Sequence, residues 1–199
     1  MKSVCIAVPE RRQNVQYLTQ HIPNLEVLWD DKHEGNFIQW CKAAELVAGG
    51  GLIIEDDIVL TKNFVDKVDK AIAEKGSYLI QFFSMRKDDI LVGSRWDNNF
   101  LMNQCAYYPP GLTPKILEYK TVFKNKGIAP SDSMVCAAMK DMRQRYWIHV
   151  PSLVDHLMMP STIDKRRSSK RQAKVFLDPE LSGIVNLNLI LKRDTNDKE

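Results

Sequence analysis

Three adjacent acids, Glu55, Asp56 and Asp57, interrupt an otherwise apolar stretch, LIIEDDIVL (52–60). Their charges repel one another, and burying carboxylates without partners costs considerable free energy. An apolar strand therefore tolerates them only at its exposed carboxyl end or around a bound cation. Hard cations such as Mg²⁺ and Mn²⁺ take oxygen ligands of this kind, often together with substrate phosphates. The triplet predicts a cation site, and a solvated acidic turn is the alternative.

Three kinds of chemistry could use such a triplet. A receiver domain would need another acidic pair after the first strand, where this chain has the basic segment PERRQN (9–14). A metal-dependent nuclease usually needs further carboxylates and a lysine on a neighbouring strand, and YLIQFFS (78–84) supplies neither. A transferase acting on a nucleotide diphosphate would use the carboxylates to hold a cation against the diphosphate. The third chemistry fits these residues best.

The segments around the triplet alternate between strand and helix patterns. Short apolar strands are predicted at 4–8, 25–29, 52–60 and 78–84. Amphipathic helices are predicted between them, and glycines end the second and third of these helices. This order predicts an α/β sandwich with a mostly parallel central sheet. Ligands bind at the carboxyl ends of the strands in such sheets, which is where the triplet would lie.

The second half of the chain has fewer regular signals. We predict an irregular segment at 85–112 and helices at 113–127 and 131–145. A final strand that runs into a loop is predicted at 146–157. A chain of 199 residues has the size of one domain. We divide it into a nucleotide-binding half, an acceptor-side half and a basic loop with a tail, at 1–84, 85–164 and 165–199.

The overall composition excludes several classes of protein. The chain is 44% hydrophobic and 27% charged with a net charge of +3, which is ordinary for a globular domain and excludes a disordered tail, a fibre and a coiled coil. No apolar run approaches the ~20 residues of a membrane span, and the N-terminal run is too short for a signal peptide. The four cysteines are widely spaced, without a CxxC pair. We therefore expect a cytoplasmic protein with reduced thiols.

Two segments carry a resemblance to a known family. GGGLIIEDDIVLTKNF (49–64) resembles the DxD-type metal-binding segment of GT-A-fold glycosyltransferases, and VPSLVDHLMMPSTI (150–163) resembles the PSLxxH segment found late in several such families. The resemblance implies a GT-A-like, Rossmann-related three-layer sandwich. It also implies a nucleotide-sugar donor, with UDP favoured, a Mn²⁺ or Mg²⁺ cofactor, and a hydroxyl acceptor such as a saccharide or a hydroxymethylated DNA base. An inverting reaction is expected.

The same resemblance suggests roles for the acids and for one histidine. Asp57 would bind the cation as the last acid of the triplet, and His156 of the late segment would complete the metal site. Glu55 and Asp56 would contact ribose or organise nearby basic side chains. His149 lies in the apolar segment YWIHV (146–150) and is expected to be a core residue.

Further donor contacts are expected after the first two strands. Pro9, Glu10, Arg11 and Arg12 follow the first strand, where backbone groups would meet the base and an arginine the phosphates. The alternative for Arg12 is a solvated helix start. Asp30 and Asp31 follow the second strand, where the family often places an acid against uracil or ribose, and capping of the next helix is their alternative.

An inverting transfer needs a carboxylate that takes the proton from the acceptor hydroxyl. Asp132 begins a predicted helix, whose dipole stabilises its anionic form, and we expect it to be this base. An ordinary acid at a helix N-terminus is the alternative. Weaker candidates are Asp155 and the pair Asp88–Asp89.

The basic run 165–174 follows the late histidine. Lys170 and Arg171 in this run would close over the diphosphate, as a mobile loop does in GT-A enzymes. A solvated face and contact with DNA are the alternatives. Two other functions therefore stay open, namely a metal-dependent nuclease or phosphotransferase and a basic nucleic-acid-binding protein without catalysis.

Overall fold

The structure is a computed structural model that describes residues 1–124, 126, 130–157 and 171–184. Its strands are β1 (Lys2–Ala7), β2 (Leu25–Trp29), β3 (Gly51–Glu55), β4 (Ile58–Leu60), β5 (Ile80–Gln81), β6 (Arg95–Asp97), β7 (Cys105–Tyr108), β8 (Tyr146–Ile148) and β9 (Val154–His156). Its helices are α1 (Arg12–His21), α2 (Asn36–Leu46), α3 (Phe64–Lys75), α4 (Asp89–Val92), α5 (Leu112–Leu117), α6 (Lys120–Phe123) and α7 (Pro130–Asp141). A 3-10 helix (Pro9–Arg11) precedes α1.

Within the described residues, seven strands form one sheet in the order β2-β1-β3-β7-β5-β8-β6. β1 pairs in parallel with β2 and β3, and β5 pairs in parallel with β8. β7 and β6 run antiparallel to their neighbours. Five of these seven described strands therefore point the same way, and the predicted α/β fold with a mostly parallel central sheet is confirmed.

Helices cover both faces of this sheet and make a three-layer sandwich. Successive residues of a strand point to opposite faces. Thus Leu52 and Ile54 of β3 pack with residues of α1 and α3, while Ile53 packs with residues of α2, α5 and α7. All three side chains are buried. Their alternation explains why the strand is apolar along its whole length.

The segment 52–60, predicted to be one strand broken by its three acids, forms two strands in different sheets. β3 ends at Glu55, and β4 pairs antiparallel with β9 in a separate two-stranded sheet. The chain turns at Asp56 and Asp57 because the protein binds both the side chain and the backbone of Asp56. Val8 N donates to Asp56 Oδ2 at 2.8 Å, and Asn14 Nδ2 donates to the Asp56 carbonyl oxygen.

The second half is more regular than its sequence predicts. The segment 85–112, predicted to be irregular, contains α4, β6 and the central strand β7. The predicted helix at 113–127 is divided into α5 and α6, and the predicted strands at 78–84 and 146–157 supply only short strands. Strands of two to four residues hold too few positions to show a period of two, which is why this part was missed. No helix in the described part of the chain is long and apolar enough to cross a bilayer.

Candidate active site

The site lies where the parallel strands β2, β1 and β3 end side by side. Their last residues are Trp29, Ala7 and Glu55. Because the strands run in parallel, the segments that follow them meet at one edge of the sheet. The 3-10 helix, Asp30 and the acidic triplet therefore share this edge.

Asp57 and His156 are brought together by the β4–β9 ladder. His156 is the register partner of Ile58, and Leu157 N donates to the Asp57 carbonyl oxygen at 2.7 Å. His156 Nε2 lies 3.1 Å from Asp57 Oδ2. Both residues are buried, with exposed fractions of 8% and 6%. Two segments about a hundred positions apart in sequence therefore form one ionic contact.

Arg11 supplies a buried positive charge between two of the acids. Its Nη1 lies 2.6 Å from Asp56 Oδ1 and 2.7 Å from Asp57 Oδ2. The 3-10 helix turns this side chain inward, directly after β1. Asp56 Oδ2 accepts the hydrogen bond from Val8 N, so both oxygens of Asp56 are bonded within the protein. Asp56 therefore holds Arg11 and the end of β1 in place.

Two asparagines hold the rest of the triplet. Asn14 Nδ2 donates to the carbonyl oxygens of Asp56 and Ile58, the second at 3.2 Å. Asn36 Nδ2 donates to Glu55 Oε1 at 2.8 Å, from the first residue of α2. Glu55 is the acid of the triplet that remains partly exposed.

The charges of Asp57 and His156 stabilise each other. Burial alone would raise the pKa of Asp57, but the hydrogen bond from His156 and the charges of His156 and Arg11 lower it to about 2. Burial alone would lower the pKa of His156, but the contact with Asp57 raises it above its ordinary value. Each group therefore favours the charged form of the other.

Glu55 behaves in the opposite way. Burial, followed by the negative charges of Asp57 and Asp132, raises the pKa of Glu55 to about 7. The hydrogen bond from Asn36 opposes this shift without cancelling it. The site consequently holds more acidic groups than it can keep ionised at neutral pH without added positive charge.

Two buried atoms of the site have no hydrogen-bond partner among the described residues. They are Asp57 Oδ1 and His156 Nδ1. A buried carboxylate oxygen without a donor is costly in a folded protein, and a ligand would remove that cost. In the described part of the chain, no three His, Cys, Asp or Glu side chains converge to hold a metal by themselves. A cation bound here would therefore take ligands from substrate or water as well as from Asp57 and His156.

The residues expected to contact the donor after β1 and β2 lie along the same edge. Arg12 points away from the acids, with its guanidinium 4.9 Å from the centre of the Trp29 ring. Arg11, rather than Arg12, contacts the acids. Pro9 begins the 3-10 helix, and exposed Glu10 lies 3.8 Å from His33.

Asp30 is buried and anchors the loop before α2. Its carboxylate accepts hydrogen bonds from Glu34 N at 2.7 Å, Gly35 N at 2.9 Å and Gln39 Nε2 at 2.9 Å. Burial would raise its pKa, but these bonds lower it. Glu34 and Gly35 precede the first residue of α2, and this helix has no side-chain cap, so Asp30 holds the loop instead of capping the helix. Asp31, by contrast, is exposed.

Asp132 lies in the first turn of α7, beside the triplet. The preceding residue, Ser131, donates from Oγ to Asn36 Oδ1 at 3.4 Å, and Asn36 in turn bonds Glu55. Asp132 also lines a cavity together with Arg171. Lys170 lies outside the described residues.

The weaker candidates for the base are bonded elsewhere in the protein. Asp88 and Asp89 each lie 2.9 Å from Arg95. Asp155 accepts a hydrogen bond from Ala173 N at 2.6 Å. His149, expected in the core, is partly buried, and its Nδ1 lies 2.8 Å from the Pro151 carbonyl oxygen.

Comparison with known proteins supports the fold. No protein family matches the chain, and no curated protein matches it. It matches 45 chains of solved structures. One is the crystal structure of A197 from STIV, 13% identical with a TM-score of 0.55 over 89% of this chain and 95% of that chain. Another is the CTP:phosphocholine cytidylyltransferase LicC from Streptococcus pneumoniae, 14% identical with a TM-score of 0.46 over 78% of this chain and 72% of that chain. Identities this low show the fold alone.

Sequence reasoning overlooked Asn14 and Asn36, and it expected an arginine after β1, Arg11 or Arg12, to meet the donor phosphates rather than the triplet. Arg11 and Asn14 are three positions apart, so in a helical segment they lie on one face. A pair of polar residues at that spacing directly after a buried strand is a usable signal for groups that meet the triplet. Asn36 carries no comparable signal, because only the packing of α2 brings it to Glu55.

Proposed function

We propose that this protein transfers a sugar from a nucleotide-diphosphate sugar, with a UDP-sugar favoured, to a hydroxyl acceptor. The observation that carries the proposal is the contact between Asp57 and His156 at the carboxyl edge of the sheet, with a buried Asp57 oxygen that has no partner among the described residues. An acidic group and an imidazole gathered in this way favour a cation, and the edge of the sheet favours a nucleotide.

Asp57 and His156 would hold Mn²⁺ or Mg²⁺. Two ligand atoms at right angles and ~2.1 Å from one cation are about 3.0 Å apart. The 3.1 Å between Asp57 Oδ2 and His156 Nε2 fits that requirement once the imidazole has released the proton that bonds it to Asp57, so cation binding would release a proton. The imidazole favours Mn²⁺ over Mg²⁺. When bound, the cation would offset the growing charge of the leaving diphosphate.

The donor would lie across the ends of β1, β2 and β3. Pro9 and Glu10 would contact the base through the backbone, and Arg12 beside Trp29 would meet a phosphate. Asp31, exposed after β2, is the better placed acid for ribose, because Asp30 is engaged in the loop before α2. Glu55 would contact the sugar, and Asp56 would position Arg11. The basic run with Lys170 stays predicted to close over the diphosphate.

Asp132 would act as the general base. It would take the proton from the acceptor hydroxyl while the acceptor oxygen bonds to the anomeric carbon. The bond between that carbon and the diphosphate oxygen breaks, and its electron pair leaves with the nucleoside diphosphate. Because the attacking oxygen and the leaving group would lie on opposite sides of the carbon, the reaction would invert its configuration.

A binding experiment tests the donor site. Thermal unfolding is followed with UDP and a panel of UDP-sugars, with Mn²⁺ or with EDTA. We expect wild type to gain about 5 °C or more at ligand concentrations near 100 Kd, only with Mn²⁺, and to hydrolyse one UDP-sugar slowly. Asp57→Asn should lose both effects. Asp69→Asn, an exposed acid on α3, is the matched control and should keep them.

The same assay separates the other functions. No stabilisation by UDP or by any UDP-sugar in wild type would overturn the transferase proposal. Mn²⁺-dependent cleavage of DNA would replace it with a nuclease or phosphotransferase that uses the same triplet. Binding to DNA that weakens steeply with salt, without nucleotide binding, would replace it with a basic nucleic-acid-binding protein.

A further inference from the structure

A cavity of about 580 Å³ opens beside Asp132. This volume suits a small organic molecule. One wall is apolar and includes Phe100, Leu101, Met102 and Phe123. Leu101 is 45% exposed, so this wall offers apolar surface that a ligand would bury. The cavity therefore favours a ligand with an apolar part.

Two cationic side chains face the same cavity. Lys140 Nζ is held by Asn99 Oδ1 at 3.2 Å, which fixes its position. Arg171 also lines the cavity, and it makes no ion pair with the residues that the structure describes. With Asp132 at one side, the cavity combines two positive charges, one carboxylate and an apolar wall. These features favour an anion that also carries a hydroxyl group.

The backbone of the apolar wall is strained at one residue and is held by side-chain hydrogen bonds. Met102 has a φ of 74°, in the left-handed region that a long side chain rarely adopts. The buried Gln81 holds this conformation, because its Nε2 donates to the carbonyl oxygens of Leu101 and of Met102, the second at 3.0 Å. Strain of this kind persists where the surrounding structure fixes it and often accompanies binding sites. The wall is thus formed before a ligand arrives.

The cavity is linked to the acidic site through the start of α7. Ser131 and Asp132 begin the same helix, and Ser131 bonds Asn36, which bonds Glu55. A hydroxyl at the inner end of the cavity would therefore lie between Asp132 and the triplet. That is the position from which an acceptor would attack a donor held at the triplet.

We propose that this cavity binds the acceptor, and that the acceptor is a small amphipathic anion. Its anionic group would contact Lys140 and Arg171, its apolar part would pack on Leu101 and Met102, and its hydroxyl would face Asp132. The role of the ligand as an acceptor rests on the proposed transferase function. Binding of the ligand does not require a bound donor. It assigns Arg171 to the acceptor side instead of to the diphosphate.

Cys136 provides a reporter inside the cavity. It lines the cavity and is partly exposed, whereas Cys5, Cys41 and Cys105 are buried. Iodoacetamide should therefore alkylate Cys136 first, and mass spectrometry measures the rate. The probes are 4-nitrophenyl glucuronide, 4-nitrophenyl glucoside, which lacks the carboxylate, and glucuronate, which lacks the aryl ring. Cys136→Ser confirms the site of alkylation.

We expect the glucuronide to protect the thiol at a concentration about fivefold lower than the glucoside, because its carboxylate meets two cations. Glucuronate should need at least about tenfold more than the glucuronide, because it buries no ring. Lys140→Gln and Arg171→Gln should each bring the glucuronide and the glucoside closer together. Lys115→Gln, an exposed lysine on α5, is the matched control and should keep the difference.

Equal protection by the glucuronide and the glucoside in wild type would overturn the proposal, as would protection by none of the three probes. Protection by single-stranded DNA but not by the small probes would also overturn it and favour a nucleic-acid acceptor. The two proposals fail separately. Lys140→Gln should leave the stabilisation by UDP and Mn²⁺ intact, and Asp57→Asn should leave protection by the glucuronide intact.

Discussion

Two clusters in the described part of the chain join one arginine to two aspartates, and they are built differently. In the acid site, Arg11 lies 2.6 Å from Asp56 and 2.7 Å from Asp57. In the loop cluster, which we define as Arg95 with Asp88 and Asp89, both distances are 2.9 Å. The contacts are similar in length, so the difference between the clusters lies in their surroundings.

The loop cluster is local and partly solvated. Arg95 follows Asp88 and Asp89 closely in sequence, and it ties α4 to β6 within one loop. The side chain of Asp88 is 57% exposed, so water stabilises its charge. In the acid site, the side chains of Arg11, Asp56 and Asp57 are all 8% exposed or less. They come from distant segments.

The acid site also holds additional charged groups. Glu55 and His156 join it, so three carboxylates face one arginine and one histidine. The charges of the loop cluster hold a loop together. The acid site contains further charged groups, Glu55 and His156, beyond the arginine and two aspartates that both clusters share. Among the described residues both clusters contain a buried carboxylate oxygen without a partner, Asp57 Oδ1 and Asp89 Oδ2. The excess of buried carboxylates is therefore the feature that separates a site for a ligand from a structural ion pair.

The largest expected effect is on stability. Arg11→Met should lower the free energy of unfolding at neutral pH by about 3–5 kcal/mol, because it leaves two buried carboxylates without their cation. Arg95→Met should cost less, about 1–3 kcal/mol, because exposed Asp88 keeps its hydration and only one buried carboxylate, Asp89, loses its cation. Urea denaturation followed by circular dichroism measures both. The cost of Arg11→Met should shrink as the pH falls and the carboxylates take up protons, and equal costs for the two variants would contradict the comparison.

The next effect is on activity and separates the clusters by function. Asp57→Asn should reduce Mn²⁺-dependent hydrolysis of the UDP-sugar at least about 100-fold, because it weakens a metal ligand. Asp89→Asn changes an equally buried aspartate and should leave the rate per folded molecule unchanged. Initial rates are normalised to the folded fraction at each temperature. A similar loss in both variants would mean that stability, rather than metal binding, controls the rate.

Part of the fold and of the acid site can be predicted from the sequence. The triplet, its place after β3 and its partner His156 are predictable, because charge inside an apolar run is a strong signal and PSLVDH (151–156) is distinctive. β1, β2 and the α/β fold follow from apolar runs long enough to show their pattern. Local patterns predict the triplet and the strands because each depends on a single segment, whereas the partnership of His156 with Asp57 was expected from the resemblance of two segments to GT-A-fold glycosyltransferases.

The parts that the sequence did not predict depend on contacts between segments. The break between β3 and β4 follows from Val8 and Asn14 bonding Asp56, which no pattern within 52–60 contains. The choice of Arg11 over Arg12 follows from the 3-10 helix, which rotates one side chain inward and the other onto Trp29. β7 lies between β3 and β5 although it follows both in sequence, so its central place appears only in the tertiary structure.

The smallest expected effect is on the pH dependence of stability, and it comes from Glu55, which contacts neither Arg11 nor His156 in the described ion pairs. The pKa of Glu55 is about 7 in the folded protein, against an ordinary value of 4.5. The folded state therefore binds this proton more tightly than the unfolded chain, and stability falls as the pH rises from 4.5 to 7.

Glu55→Gln can keep the hydrogen bond from Asn36 and removes that loss of stability. In EDTA it should match wild type at low pH and exceed it by about 1 kcal/mol at alkaline pH, since partial exposure screens the charge. The exposed Glu74→Gln is the control, and a Glu55→Gln variant less stable than wild type at alkaline pH would show that the ionised acid is stabilising.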